Sequence, residues 1–88
     1  MDDLQLGQVV RSKAGRDKGR VFVVVGRVDE QHVLIADGDL RKIEKPKKKK
    51  YKHLQRYNEV LNEVREKLKR GESLTNEEIR RLLEPYKS

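Results

Sequence analysis

The sequence contains no cysteine and no tryptophan, and its aromatic residues are one phenylalanine and three tyrosines. Without cysteine there is neither a disulfide framework nor a thiolate metal site. Phe22, Tyr51, Tyr57 and Tyr86 are too few and too scattered for a platform that stacks successive bases. The same scarcity argues against an aromatic cage around a methylated ammonium. Long apolar runs are also missing: the longest, Val21 to Val25, has the length of a strand and falls far short of a membrane span. Met1-Asp2-Asp3-Leu4 lacks the basic-then-apolar pattern of a secretion signal, so a cytoplasmic location is expected.

Chemistry-bearing constellations are equally scarce. His32 and His53 have no partner at metal-ligand spacing, so neither a metal nor another cofactor is expected. Ser12 has no nucleophile elbow around it. Asp37-Gly38-Asp39 is first a turn and only second a pair of carboxylates. A domain this small also offers little room for a substrate pocket, so catalysis is not expected.

What the chain does have is charge. Its 88 residues are 42% charged and 34% hydrophobic, with a net charge of +7. That composition allows one domain with a small core. The charge is concentrated. Between residues 41 and 56, Arg41, Lys42, Lys45, Lys47, Lys48, Lys49, Lys50, Lys52 and Arg56 face a single acid, Glu44. Such a density of cations calls for a polyanionic partner, and RNA, DNA or an anionic membrane would each fit.

The first half reads as β. Gln8 to Lys13 and Arg20 to Val25 are rich in β-branched residues, and Ala14-Gly15-Arg16-Asp17-Lys18-Gly19 between them makes a hairpin with a basic tip. Asp29-Glu30-Gln31 is the next turn, and His32 to Ala36 a third strand. Asp37-Gly38 marks a tight hairpin into a half-exposed strand, Leu40 to Glu44. Pro46 and Lys47 to Lys50 interrupt the pattern. A fifth strand is expected at Tyr51 to Leu54, the alternative being extended chain. Several short strands in so little sequence predict a small barrel closed to hide its edges. The second half reads as helix. Leu54, Tyr57, Leu61, Val64 and Leu68 recur at helical spacing, with Val60 widening the stripe and Gly71 placed to end the helix. A second helix starts at Thr75, with Glu78 completing a capping box and Leu74 and Ile79 a hydrophobic staple; Pro85 ends it.

The stretch Leu6-Gly7-Gln8-Val9-Val10-Arg11-Ser12-Lys13-Ala14-Gly15-Arg16-Asp17-Lys18-Gly19-Arg20-Val21-Phe22-Val23-Val24 resembles a KOW motif, with Gly15 as the turn glycine. Through Ala36 to Lys42 and on to Lys52-His53-Leu54, the chain is similar to KOW proteins of the archaeal and eukaryotic large ribosomal subunit (the group numbered fourteen-e, six-e and twenty-seven-e). It is similar most of all to their short bacterial homologues, which are described as RNA-binding. The resemblance covers roughly residues 4–54. It implies an SH3-like barrel that contacts RNA, often ribosomal RNA, through loops and a basic tail, although KOW domains of NusG-type transcription factors make many of their contacts to protein.

The expected architecture is therefore mainly β: an SH3-like barrel of about five strands over residues 1–54, with a basic extension over 41–53, then two short helices over 55–88. The expected RNA-binding residues are Lys13, Gly15, Arg16, Lys18, Gly19 and Arg20 at the hairpin tip. Arg41, Lys42, Lys45, Lys47, Lys48, Lys49, Lys50, Lys52 and His53 complete the set. Glycines let backbone N–H groups approach a phosphate that the cations neutralise. The competing reading is that the glycines serve the turn and the charges solvate it. The lysine run is expected to be without structure of its own and to order on the RNA, with a solubilising linker as the alternative. Tyr51 either stacks on an unpaired base or anchors the barrel. The expected partner is ribosomal RNA of the large subunit. The rival is a protein-interaction module that docks on a transcription or translation factor through the barrel and the Leu54-Tyr57-Leu61-Val64-Leu68 stripe. The helical half carries nearly balanced charge, so no membrane partner is expected.

Overall fold

Valine-rich segments pair where the sequence places them. In the structure, a computed structural model that describes residues 4–87, β1 (Gln8–Ser12) and β2 (Val21–Arg27) form an antiparallel hairpin with Val10 opposite Phe22. Met1-Asp2-Asp3, considered above for a secretion signal, lies outside the described residues. β3 (His32–Ala36) follows a turn in which Asp29 Oδ1 accepts the N–H groups of Gln31 and His32, each at 2.8 Å. β4 (Lys47–Lys50) and β5 (Leu54–Val60) complete a five-stranded antiparallel sheet in the order β4-β3-β2-β1-β5. Two helices follow, α1 (Asn62–Lys69) and α2 (Asn76–Leu83). The fold is mainly β with two C-terminal helices, as the sequence predicts.

Both faces of this sheet are buried. Val10, Phe22, Val24, Val33, Ile35 and Leu54 share one face with Leu4. Val10, Phe22, Val24 and Ile35 are completely inaccessible there. Among the described residues no helix covers that face, so the sheet curls around its own side chains into a barrel-like form. Val9, Val21, Val23 and Ala36 point the other way and meet Val64, Leu74, Ile79 and Leu83 of the helical segment. Successive residues of a strand alternate between faces, so the unbroken run Val21 to Val25 is the mark of a strand buried on both sides. Each fully buried Val, Ile, Leu or Phe contributes about 1.5–3 kcal/mol.

Four expectations are corrected. The barrel is not closed: β4 and β5 remain the sheet's edges, linked by the 3-10 turn Tyr51–His53. Leu40 to Glu44 is not a strand, because its backbone is bonded elsewhere. Arg41 N–H goes to Asp37 Oδ1 at 2.9 Å, and Ile43 N–H to Asn76 Oδ1 of α2 at 2.8 Å. The lysine run, expected to lack structure of its own, forms the fourth strand instead, on the free edge of β3 and directly after Pro46.

The helix expected from Leu54 is the fourth correction. Leu54–Val60 is β5, and α1 starts only at Asn62. A spacing of three puts two residues on one side of a helix but on opposite sides of a strand. With both faces apolar, the strand satisfies the pattern equally well: Leu54 joins the inner cluster and Tyr57 packs on the helix side. The stripe is therefore not one face. Where β5 pairs with β1 the register shifts between Gln8 and Val10, and the buried Gln8 amide donates to the carbonyls of Tyr57 and Glu59 at 2.8 and 3.2 Å.

The predicted helix ends are present. Thr75 Oγ1 accepts the Glu78 N–H at 3.1 Å while Glu78 Oε1 accepts the Thr75 N–H at 2.9 Å. Leu74 and Ile79 are both buried in the helix-side core, as a hydrophobic staple requires. Gly71 follows α1 directly after its cap Arg70, and Pro85 lies in the 3-10 turn that succeeds α2.

Candidate nucleic-acid interface

The lysine strand and the basic hairpin tip lie side by side. β4 pairs through Ile35 opposite Lys47, Leu34 opposite Lys48, Val33 opposite Lys49 and His32 opposite Lys50. Lys47, Lys48 and Lys50 are exposed, whereas Lys49 is half-buried, and its Nζ donates to the Ala14 carbonyl at 3.0 Å. A Cβ on Gly15 would stand 3.3 Å from that ammonium, and Gly15 itself has φ +80. The tip thus needs a residue that tolerates left-handed backbone and leaves room for Lys49. Edge strands rich in lysine also resist pairing with other chains, so the run has a structural role besides any ligand.

Around this junction the sequence-predicted cations divide into two groups. Lys13, Arg16 and Lys18 at the tip are exposed, as are Lys42 and Lys45 in the turn before β4 and Lys52 and His53 in the 3-10 turn. Gly19 is exposed beside them. Arg20 and Arg41 have structural work. Arg20 Nη2 lies 2.9 Å from Asp37 Oδ2 and 3.5 Å from Asp39, and Arg41 reaches Asp17 at 3.0 Å. Each loop sends its arginine to the other loop's aspartate, so the hairpin tip and the 37–41 turn are cross-braced.

Asp17 and Asp37 are nearly inaccessible, and the sequence reading gave both only a place in turns. The available signal was their placement: acids inside otherwise cationic loops are candidates for internal pairing. Burial pushes the Asp37 carboxyl up, but N–H donation from Arg41 and Asp39, together with the Arg20 guanidinium, holds it below the ordinary aspartate value. The hydrogen bond that Arg20 donates to Asp37 in turn raises Arg20 above its ordinary value. Glu44 is turned to Asn76, whose Nδ2 donates to it at 2.9 Å. With Asp17 and Asp37 drawn inward and Glu44 turned toward α2, lysines make up most of the exposed charge of the junction, Asp39 beside Arg20 being an exposed acid.

Two open cavities add cations outside the expected set of RNA-binding residues: Arg11 and Lys87 in one, and Arg56 beside Lys13 and Lys52 in the other. One of about 300 Å3 is bounded by Arg11, Gly19, Arg20, Val21 and Lys87. Arg11 is held there by Tyr57, whose hydroxyl accepts from its Nε and Nη2 at 2.9 and 2.6 Å. The other, of about 270 Å3, is bounded by Leu4, Lys13, Tyr51, Lys52, Leu54 and Arg56. Among the described residues, no three His, Asp or Glu side chains are grouped to hold a metal, and no helix is long and apolar enough to cross a membrane.

No family model matches the chain, and no curated protein matches it either.

Proposed function

We propose that this protein binds RNA without catalysing a reaction, its ligand being structured ribosomal RNA of the large subunit. The observation that carries the reading is the juxtaposition of the exposed lysines of β4 with the basic hairpin tip, fastened by the Lys49–Ala14 hydrogen bond. Cations held on a rigid strand and turn suit a phosphate backbone of regular shape, and such contacts position a protein on RNA without reading bases. That the RNA is ribosomal rests on the KOW resemblance of residues 4–54. The rival reading draws less support from the stripe, since Val64 is fully buried in the protein's own core and Leu54 faces the opposite side of the sheet.

Ultraviolet cross-linking in growing cells, followed by sequencing of the attached RNA, tests the proposal. Reads concentrated on one or a few segments of large-subunit ribosomal RNA are expected. Reads no more abundant than those of an inert basic protein would refute RNA binding. In vitro, engagement of about six phosphates gives a log–log salt slope of roughly −4 to −5.

A further inference from the structure

The three tyrosines have different surroundings. Tyr57 and Tyr86 meet edge to face, with centroids 5.9 Å apart and planes at 79°, and both pack on the helix-side core. Tyr51 belongs to neither apolar cluster and is 41% exposed. An exposed ring on a mobile loop would mean little, but this ring stands on fixed backbone. Tyr51 opens the 3-10 turn, its N–H donates to the Gln31 carbonyl at 2.8 Å, and its carbonyl accepts the Leu54 N–H. The far end of the turn is pinned as well, by Lys13 N–H on the His53 carbonyl at 2.8 Å.

Beside the ring lies the cavity of about 270 Å3 at the mouth of the inner apolar cluster. Its wall is mixed in a specific way. Leu4 and Leu54, both buried, supply apolar surface; Tyr51 supplies a planar face; Lys13 and Lys52 are exposed cations beside them. A paired RNA backbone has use for the cations but none for the ring and the leucines. An unpaired nucleotide has use for both, its base meeting the apolar wall and its phosphates the ammonium groups.

We infer that this cavity takes one unpaired nucleotide of the bound RNA, stacked on Tyr51, with Lys13 and Lys52 on the flanking phosphates. The inference rests on the RNA-binding reading and deepens it: the preferred ligand is a stem interrupted by a bulge or loop at the position that meets Tyr51. Because the turn's hydrogen bonds are backbone to backbone, replacing the ring leaves them in place.

The test uses the full chain and two RNA hairpins of equal length and charge, one with an uninterrupted stem and one with a single bulged purine. Binding is measured by fluorescence anisotropy for the wild type, Tyr51→Ala, Tyr51→Leu and Tyr51→Phe, with thermal melts as folding controls. The bulged RNA is expected to bind more tightly. Tyr51→Leu and Tyr51→Ala should weaken it about 5- to 100-fold while leaving the uninterrupted stem unchanged, and Tyr51→Phe should retain the preference. Equal affinity of wild type and folded Tyr51→Leu for both RNAs overturns the nucleotide pocket but leaves RNA binding standing. Failure of the wild type to bind either RNA more tightly than an inert basic protein overturns the RNA-binding reading itself.

Discussion

Asp37 is the most consequential side chain in the cationic half. Its Oδ1 accepts the N–H groups of Asp39 and Arg41 at 3.0 and 2.9 Å, and its Oδ2 the Arg20 guanidinium at 2.9 Å. Asp37→Ala leaves two backbone donors in a buried turn, at about 1–3 kcal/mol each. Loss of the Arg20 pair adds about 1 kcal/mol, the low figure because the arginine is partly exposed. The expected cost is about 3–7 kcal/mol, against a total stability of about 5–15 kcal/mol for a small domain. Asp37→Asn keeps an oxygen for the two N–H groups and loses only the charge, so about 1–2 kcal/mol is expected. Urea unfolding followed by far-ultraviolet circular dichroism compares them through the midpoint at constant slope. Equal destabilisation by the two variants would refute the reasoning, since it would mean that the ion pair and not the turn's N–H groups gives Asp37 its importance.

Gly38 lies under α2 with φ +78, and a Cβ there would fall 2.3 Å from the Asn76 carbonyl oxygen; Gly38→Ala should therefore unfold the protein or detach α2, read as loss of a cooperative melt. Ile79→Ala empties a fully buried position between α2 and β2 and should cost about 2–5 kcal/mol by the same urea assay. Replacing Lys47, Lys48 and Lys50 together by glutamine, with Lys49 kept for its bond to Ala14, should reduce the salt slope of RNA binding by roughly 2–3 without lowering the melting temperature. Acid should destabilise the fold. The Lys67 ammonium and the Thr75 N–H hold Glu78 down at about 2, and Asp37 is also held below its ordinary value. Groups lowered on folding contribute fully above their unfolded values of 4.5 and 3.8, and that contribution is lost as pH falls through the folded ones. The melting temperature should thus hold from neutral pH to about 5 and decline steadily below it.

The lysine strand shows where local reasoning stops. Four consecutive lysines have no preference for a strand, and nothing within Lys47 to Lys50 announces one. They become β4 because β3 presents a free edge and the chain must pass it on the way to β5. Leu54 to Val60 shows the complementary difficulty, since its apolar spacing fits a helix and a two-faced strand alike. Only the presence of an apolar layer on each side of the sheet selects the strand. For the candidate site, the exposed lysines were legible as charge, whereas the withdrawal of Arg20 and Arg41 into ion pairs was not.

By itself the sequence determined the features that short-range chemistry controls. These are the valine hairpin with its glycine-bearing tip, the Thr75–Glu78 capping box, the stops at Gly71 and Pro85, and the excess of cations. Tertiary structure decided which cations face outward, which strand closes each edge, and how Tyr51 differs from Tyr57 and Tyr86. The physical reason is that pairing partners such as Arg41 and Asp17, 24 residues apart, meet only once the sheet has curled and both its faces are covered.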